Sequence, residues 1–163
     1  MLQRAIMVLA ILVILPAAAS AGAINYYGAH MGFGQSPDQT VIGGQLQMNG
    51  VAPRMAFVPG IDYAFNDLNS VVTLNGDFHY NLTYETAWQP YVGLGAAVNL
   101  RSEPSPRNRN ERVDRTDPQA RGELIVGAAI RNHGGGRFFT EMKLGFGESP
   151  GLKMLAGWNV RMR

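Results

Sequence analysis

The stretch "VVTLNGDFHYNL" (Val71–Leu82) decides the fold. It contains Asn75-Gly76, the strongest short signal for a two-residue β-hairpin turn. If that turn formed, Leu74 would face Asp77, Thr73 would face Phe78 and Val72 would face His79. Directly opposed residues share one face of a sheet, so every pair would put an apolar and a polar side chain together. Read as one strand, Val72, Leu74, Gly76, Phe78, Tyr80 and Leu82 point one way. Thr73, Asn75, Asp77, His79 and Asn81 point the other. The alternation is unbroken, and a slip of one residue would destroy it. A single strand is therefore expected. At about 3.3 Å per residue it spans roughly 35 Å, which suits a tilted crossing of a bilayer.

Seven other segments carry the same period of two. They run from Ala23 to Phe33, Ile42 to Met48, Phe57 to Phe65, Trp88 to Leu100, Glu123 to Arg131, Phe138 to Phe146 and Leu152 to Arg163. Eight such segments separated by turn residues are the pattern of a membrane β-barrel. Closure removes the sheet edges, which lipid does not tolerate. Pro59 and Pro90 cannot donate to a ladder and are expected near strand ends or bulges. The outer loops are expected at about Gln35–Gln39, Asn66–Ser70, Arg101–Arg121 and Gly147–Gly151. The inner turns are expected at about Asn49–Arg54, Thr83–Ala87 and Asn132–Gly136. The one long connection then falls on the outside, as such barrels require.

Periodicity alone does not say which face meets lipid, because a lipocalin-type barrel also alternates with its apolar face inward. The composition of the polar face decides. It carries Asp62, Asp77, His79, Glu123, Arg131, Glu141, Lys143, Lys153 and Arg161 among many glycines. An eight-stranded interior has room only for side chains. Glycine relieves that crowding and opposite charges can pair. These nine residues are expected to form an interior polar network, with Glu141 and Lys143 clustering with Lys153 and Arg161 of the adjacent strand. Tyr63, Tyr80, Trp88 and Trp158 lie toward strand ends, where interfacial aromatic girdles are expected. The fold class is therefore all-β: an eight-stranded antiparallel up-and-down transmembrane β-barrel, preceded by a signal peptide.

The leader is read from residues 1–21. Arg4 supplies a positive start, Ala5–Leu15 is an uninterrupted apolar run, and Pro16 ends it. Ala19-Ser20-Ala21 fits the small-x-small cleavage rule, so the barrel occupies 22–163. Cleavage after Ala23 is the alternative. No later apolar run approaches the length of a transmembrane helix. Of the 14 basic and 12 acidic side chains in the 163-residue chain, only Arg4 leaves with the signal. A near-neutral balance is no signature of a nucleic-acid binder. With no cysteine, an exported chain must be held by hydrogen bonds and packing alone.

The stretches "QPYVGLGAAVNL" (Gln89–Leu100) and "RFFTEMKLGFGESPGLKMLAGWNV" (Arg137–Val160) carry a resemblance. The chain resembles the small eight-stranded outer-membrane barrels of Gram-negative bacteria, the group with OmpX, the OmpA membrane domain and opacity-type proteins. "GWNV" (Gly157–Val160) is similar to the core of their C-terminal assembly signal, although the chain ends Arg161-Met162-Arg163 where such barrels end in an aromatic residue. The resemblance implies residence in the cell outer membrane after export, outer-membrane lipid and the barrel-assembly machinery as partners, and a monomer.

Little in the chain suggests chemistry. Asp77 and His79 lie two apart on one face, so the carboxylate could orient the imidazole as in a nucleophilic triad. The chain has no cysteine, and Ser70 lies in the loop before the strand without a motif. His30, His79 and His133 have no zinc-site spacing. No catalytic residue, cofactor or metal is expected. The loop "RSEPSPRNRNERVDRTDPQAR" (Arg101–Arg121) holds six of the twelve arginines. A solvated surface loop is the plain reading. The sharper one has Arg107, Arg109, Arg112 and Arg115 engage lipopolysaccharide phosphates, which suits the planar guanidinium. The expected function is non-enzymatic, a structural or surface-interaction role. The alternatives are a barrel that passes small solutes or ions, and a soluble periplasmic ligand-binding barrel.

Overall fold

A computed structural model of the chain describes residues 24–35, 38–66, 70–83, 86–102, 117–132, 134–147 and 151–162. The proposed leader 1–21 and Arg107, Arg109, Arg112 and Arg115 lie outside the described residues. Eight strands follow one another: β1 (Ile24–Gln35), β2 (Gln39–Ala52), β3 (Met55–Phe65), β4 (Ser70–Asn81), β5 (Trp88–Ser102), β6 (Asp117–Arg131), β7 (Arg137–Gly147) and β8 (Gly151–Arg161). Each pairs antiparallel with its sequence neighbours, and β1 pairs with β8 to close the barrel. Asn75-Gly76 makes no turn. Both lie inside β4, where Asn75 pairs with Gly60 on one side and Ala97 on the other. The shortest strands have 11 residues, which at a tilt of about 45° cross roughly 26 Å.

The two faces sort as hydrophobic physics requires of a barrel in lipid. Phe33 and Leu94 are 71% and 61% exposed, whereas Asp62 and Asp77 inside are 0% and 2% exposed. So large an apolar surface is not stable in water. Aromatic side chains ring the band near both ends. Tyr27, Tyr80, Trp88, Phe138 and Trp158 stand at the terminal end, where β1 begins and β8 ends, and Phe33, Tyr63, Phe65 and Phe146 at the loop end. Phe57 departs from the sorting. It has the outward register of Ile61 and Tyr63 but is buried, its ring 5.0 Å from that of Phe78.

Three expectations need correction. The long connection is shorter than Arg101–Arg121, because β5 continues to Ser102 and β6 begins at Asp117. The turn after β2 is only Pro53-Arg54, since Ala52 still pairs with Met55. Gly50 absorbs the irregularity in that stretch with a φ of 89°, beside a register shift between Asn49 and Ala52. Pro59 lies mid-strand, opposite Gly76 of β4. Pairing of β3 with β2 lapses between Phe57 and Gly60 and resumes in the same register. A missing N–H interrupts the ladder there without adding a residue.

Candidate functional site

The interior is built on a simple device: a large side chain on one strand lies over a glycine of the next. His30, Gly43 and Asp62 are directly opposed on β1, β2 and β3. A Cβ on Gly43 would fall 2.4 Å from His30 Nε2 and 2.7 Å from Asp62 Oδ1. With only hydrogen there, the two side chains meet across β2. Tyr91 lies over Gly127 and Phe139 over Gly157 in the same way, each within 2.6 Å of where a Cβ would stand. Glycine is used here for close approach rather than for a special φ.

Two ionic clusters result among the described residues. In the first, Asp62 accepts hydrogen bonds from Lys153 Nζ at 2.8 Å and pairs with His30 Nε2 at 2.8 Å. In the second, Lys143 Nζ donates to Asp77 Oδ2 and lies 3.4 Å from Glu141 Oε1 and 3.7 Å from Glu123 Oε2. Arg121 Nη2 lies 2.6 Å from Glu123 Oε1. Tyr91 Oη donates to Glu141 Oε2 at 2.8 Å, and the His79 ring stacks on Tyr91 with centroids 4.6 Å apart. His79 Nε2 is 3.6 Å from the same Glu141 oxygen. Ions so deeply withdrawn from water are tolerable only when paired and hydrogen-bonded.

Apolar side chains pack between the charges. Tyr91, Ile125, Ala129 and Phe139 form one buried group, and Val41, Ala64 and Leu155 form another beneath Val71. Small cavities remain toward the two ends. One of about 70 Å³ at the loop end is lined by residues that include Thr73, Asn99, Arg121 and Lys153. One of about 20 Å³, lined by Gln47, His79, Tyr91 and Arg137 among others, has room for about one water. At the terminal end Arg137 stacks over Tyr26, 4.1 Å from the ring centroid.

Of the nine residues assigned to the network, Asp62, Asp77, His79, Glu123, Glu141, Lys143 and Lys153 lie buried inside the barrel. Arg131 and Arg161 do not join them. They keep the inward register but are exposed as the last residues of β6 and β8, at the open terminal rim where a charge keeps its water. The expected grouping also divides. Glu141 and Lys143 pair, but Lys153, which stands directly opposite Lys143, turns away to Asp62. Like charges on opposed positions repel, and each lysine has its own carboxylate. Arg121 was expected in the loop and instead turns inward from β6 to Glu123. The Asp77–His79 pair meets Glu141 rather than a hydroxyl nucleophile, and Ser70 begins β4 seven residues before Asp77.

An eight-stranded closed barrel with an apolar exterior and an ion-paired interior defines a class, the small transmembrane β-barrels. No family model matches the sequence, and no curated protein sequence matches it significantly. Solved structures do match in fold. Neisserial surface protein A (NspA) superposes with a TM-score of 0.62 at 12% identity, over 84% of this chain and 95% of that one. A de novo designed transmembrane β-barrel gives 0.53 at 15% identity, over 87% and 99%. The outer-membrane enzyme PagL gives 0.50 at 10% identity, over 84% and 99%. These likenesses concern the fold. A barrel designed without ancestry shares it too, so the architecture follows from pattern and packing and carries no function with it.

Proposed function

We propose that the chain is an outer-membrane barrel with a non-enzymatic structural or surface-interaction role, reaching the membrane after removal of residues 1–21. One observation carries the reading: the apolar face is turned outward between two aromatic girdles, around an interior filled with paired ions and packed rings. That is the arrangement hydrocarbon demands and water forbids. NspA, similar in fold, bears the name of a surface protein. The Asp77–His79 pair faces Glu141, Lys143 and Tyr91 in the interior, away from lipid, which supports a role in holding the barrel rather than in lipid chemistry.

Cell fractionation with heat-modifiable gel migration tests the location: the protein belongs in the outer-membrane fraction, with a folded band that shifts on boiling. Recovery in the soluble periplasm would overturn it. The solute-passing alternative predicts steady planar-bilayer conductance, which the filled interior argues against. Lipid, the assembly machinery and lipopolysaccharide are the proposed partners, and the working unit is a monomer. If Arg107, Arg109, Arg112 and Arg115 engage lipopolysaccharide phosphates, replacing all four by Gln weakens lipopolysaccharide binding and flattens its salt dependence. Unchanged titrations would remove that partner and leave the barrel reading intact.

A further inference from the structure

We propose that Asp77, His79 and Glu141 form an interior site for one divalent first-row transition-metal ion. The three side chains each offer a ligand atom, and those atoms lie within 4.8 Å of one another. They are 2%, 6% and 5% exposed. An imidazole with two carboxylates is a donor set for ions of the Zn²⁺, Fe²⁺ or Mn²⁺ type rather than for Ca²⁺ or Mg²⁺, which prefer oxygen alone.

Acidic clusters are common without ions, so the argument needs more than proximity. Two independent features supply it. His79 Nε2 is buried with no hydrogen-bond partner among the described residues, and it points at Glu141 from 3.6 Å. Asp77 Oδ1 is likewise without a partner, its other oxygen being taken by Lys143. The second feature is charge. Among the described residues, three carboxylates, Asp77, Glu123 and Glu141, share Lys143 and Arg121. With His79 neutral and all three acids ionised, one negative charge is left over in a dry interior, where it is costly. The His30–Asp62–Lys153 cluster has no such excess.

Lys143 occupies one side of the group, toward Asp77 Oδ2 and Glu141 Oε1. The ion would take the remaining oxygens and His79 Nε2, drawing them together by about an ångström to reach bonding distances near 2.1 Å. Tyr91 Oη, already on Glu141 Oε2, becomes the outer partner that orients a ligating carboxylate. The rival remedy for the same excess charge is a proton, on one of the carboxylates or on His79.

The site is enclosed, so the metal is offered during refolding. The full chain is refolded from urea into detergent micelles with Co²⁺ or Zn²⁺, washed with chelator, and assayed for bound metal and for Co²⁺ d–d absorption. Gel migration confirms that each sample is folded. The expected result is one ion per folded barrel, lost in His79→Gln and in Asp77→Asn. Lys143→Met removes a neighbouring positive charge and should tighten binding roughly tenfold or more. Metal retention in the wild type no greater than in His79→Gln overturns the proposal and leaves the proton as the occupant. Retention that disappears in His133→Gln marks a different site and also overturns it. So does an affinity unchanged in Lys143→Met, because an ion beside that lysine must feel its removal.

Discussion

Around Asp62 one carboxylate meets one lysine and one histidine, while around Lys143 three carboxylates close on one lysine, with an arginine reaching the outermost of them. Both clusters use the same construction, a charged side chain laid over a glycine, at Gly43 in one and Gly95 in the other. They differ in how many partners each ion has. Asp62 has two cationic or donor partners and needs only one to stay paired. Lys143 is shared, so three acids depend on it at once. The chain's only two lysines, Lys143 and Lys153, thus do unequal work, and the difference can be broken experimentally.

The largest effect is expected from removing the shared lysine. Lys143→Met takes from Asp77 the cation its Oδ2 is bonded to and leaves Glu141 with the Tyr91 hydroxyl and the nearby His79 ring, at a cost of about 3–5 kcal/mol, the range for breaking a buried pair. Lys153→Met leaves Asp62 with His30 and should cost about 1–3 kcal/mol, the range for one lost buried partner. Urea denaturation in micelles measures both. Equal midpoints for the two variants would mean that partner number does not govern the clusters. An amine-reactive probe gives a second view. Lys153 borders the cavity at the loop end and Lys143 does not, so Lys153 should label first in the folded barrel.

The glycines sharpen the comparison at lower amplitude. A Cβ on Gly43 would meet Ile61's backbone oxygen at 2.6 Å as well as the His30 and Asp62 side chains. Backbone does not step aside, so Gly43→Ala should cost about 1–3 kcal/mol, the usual penalty of overpacking. A Cβ on Gly95 meets Asp77 Oδ1 first and no backbone atom within 3.4 Å. Gly95→Ala should therefore cost less, because Asp77 can swing its Oδ1 aside while its Oδ2 stays on Lys143. Denaturation midpoints that reverse this order would show that the Asp77 side chain is held more rigidly than the β3 backbone.

Much of this architecture is legible in the chain because the two faces of each strand differ. In Val72–Leu82 every outward residue is apolar or glycine and every inward one is polar, so strand and orientation follow together. The pattern fails where both faces are apolar. Phe138-Phe139, Met154-Leu155 and Ile125-Val126 each send one side chain inward and one outward, and nothing in the pair of letters says which fills the core. It fails again at "DPQARGEL" (Asp117–Leu124). A proline, a glycine and four polar residues look like loop, although Gln119, Arg121 and Glu123 keep the inward period. Which acid meets which base is a further step removed. His30 finds Asp62 across two ladders and Lys143 finds Asp77 across three, through the stagger of a closed sheet, which no local pattern encodes.

The smallest effect concerns the rim. Arg131 and Arg161 obey the same inward period as Glu123 and Lys153 and differ from them only in depth. If period alone made a residue part of the network, replacing either arginine by Ala would cost as much as disturbing a cluster. Their exposure at the terminal ends of β6 and β8 argues otherwise, because a hydrated charge gains little from pairing. Each substitution should shift stability by no more than about 0.5 kcal/mol, within the scatter of a denaturation curve. A loss of several-fold that amount at Arg161, which is opposed to Tyr26 on β1, would instead mean that the rim arginine closes the β1–β8 seam. The interior network would then extend to the end of the barrel, and depth would not be what separates the two lysines from the arginines.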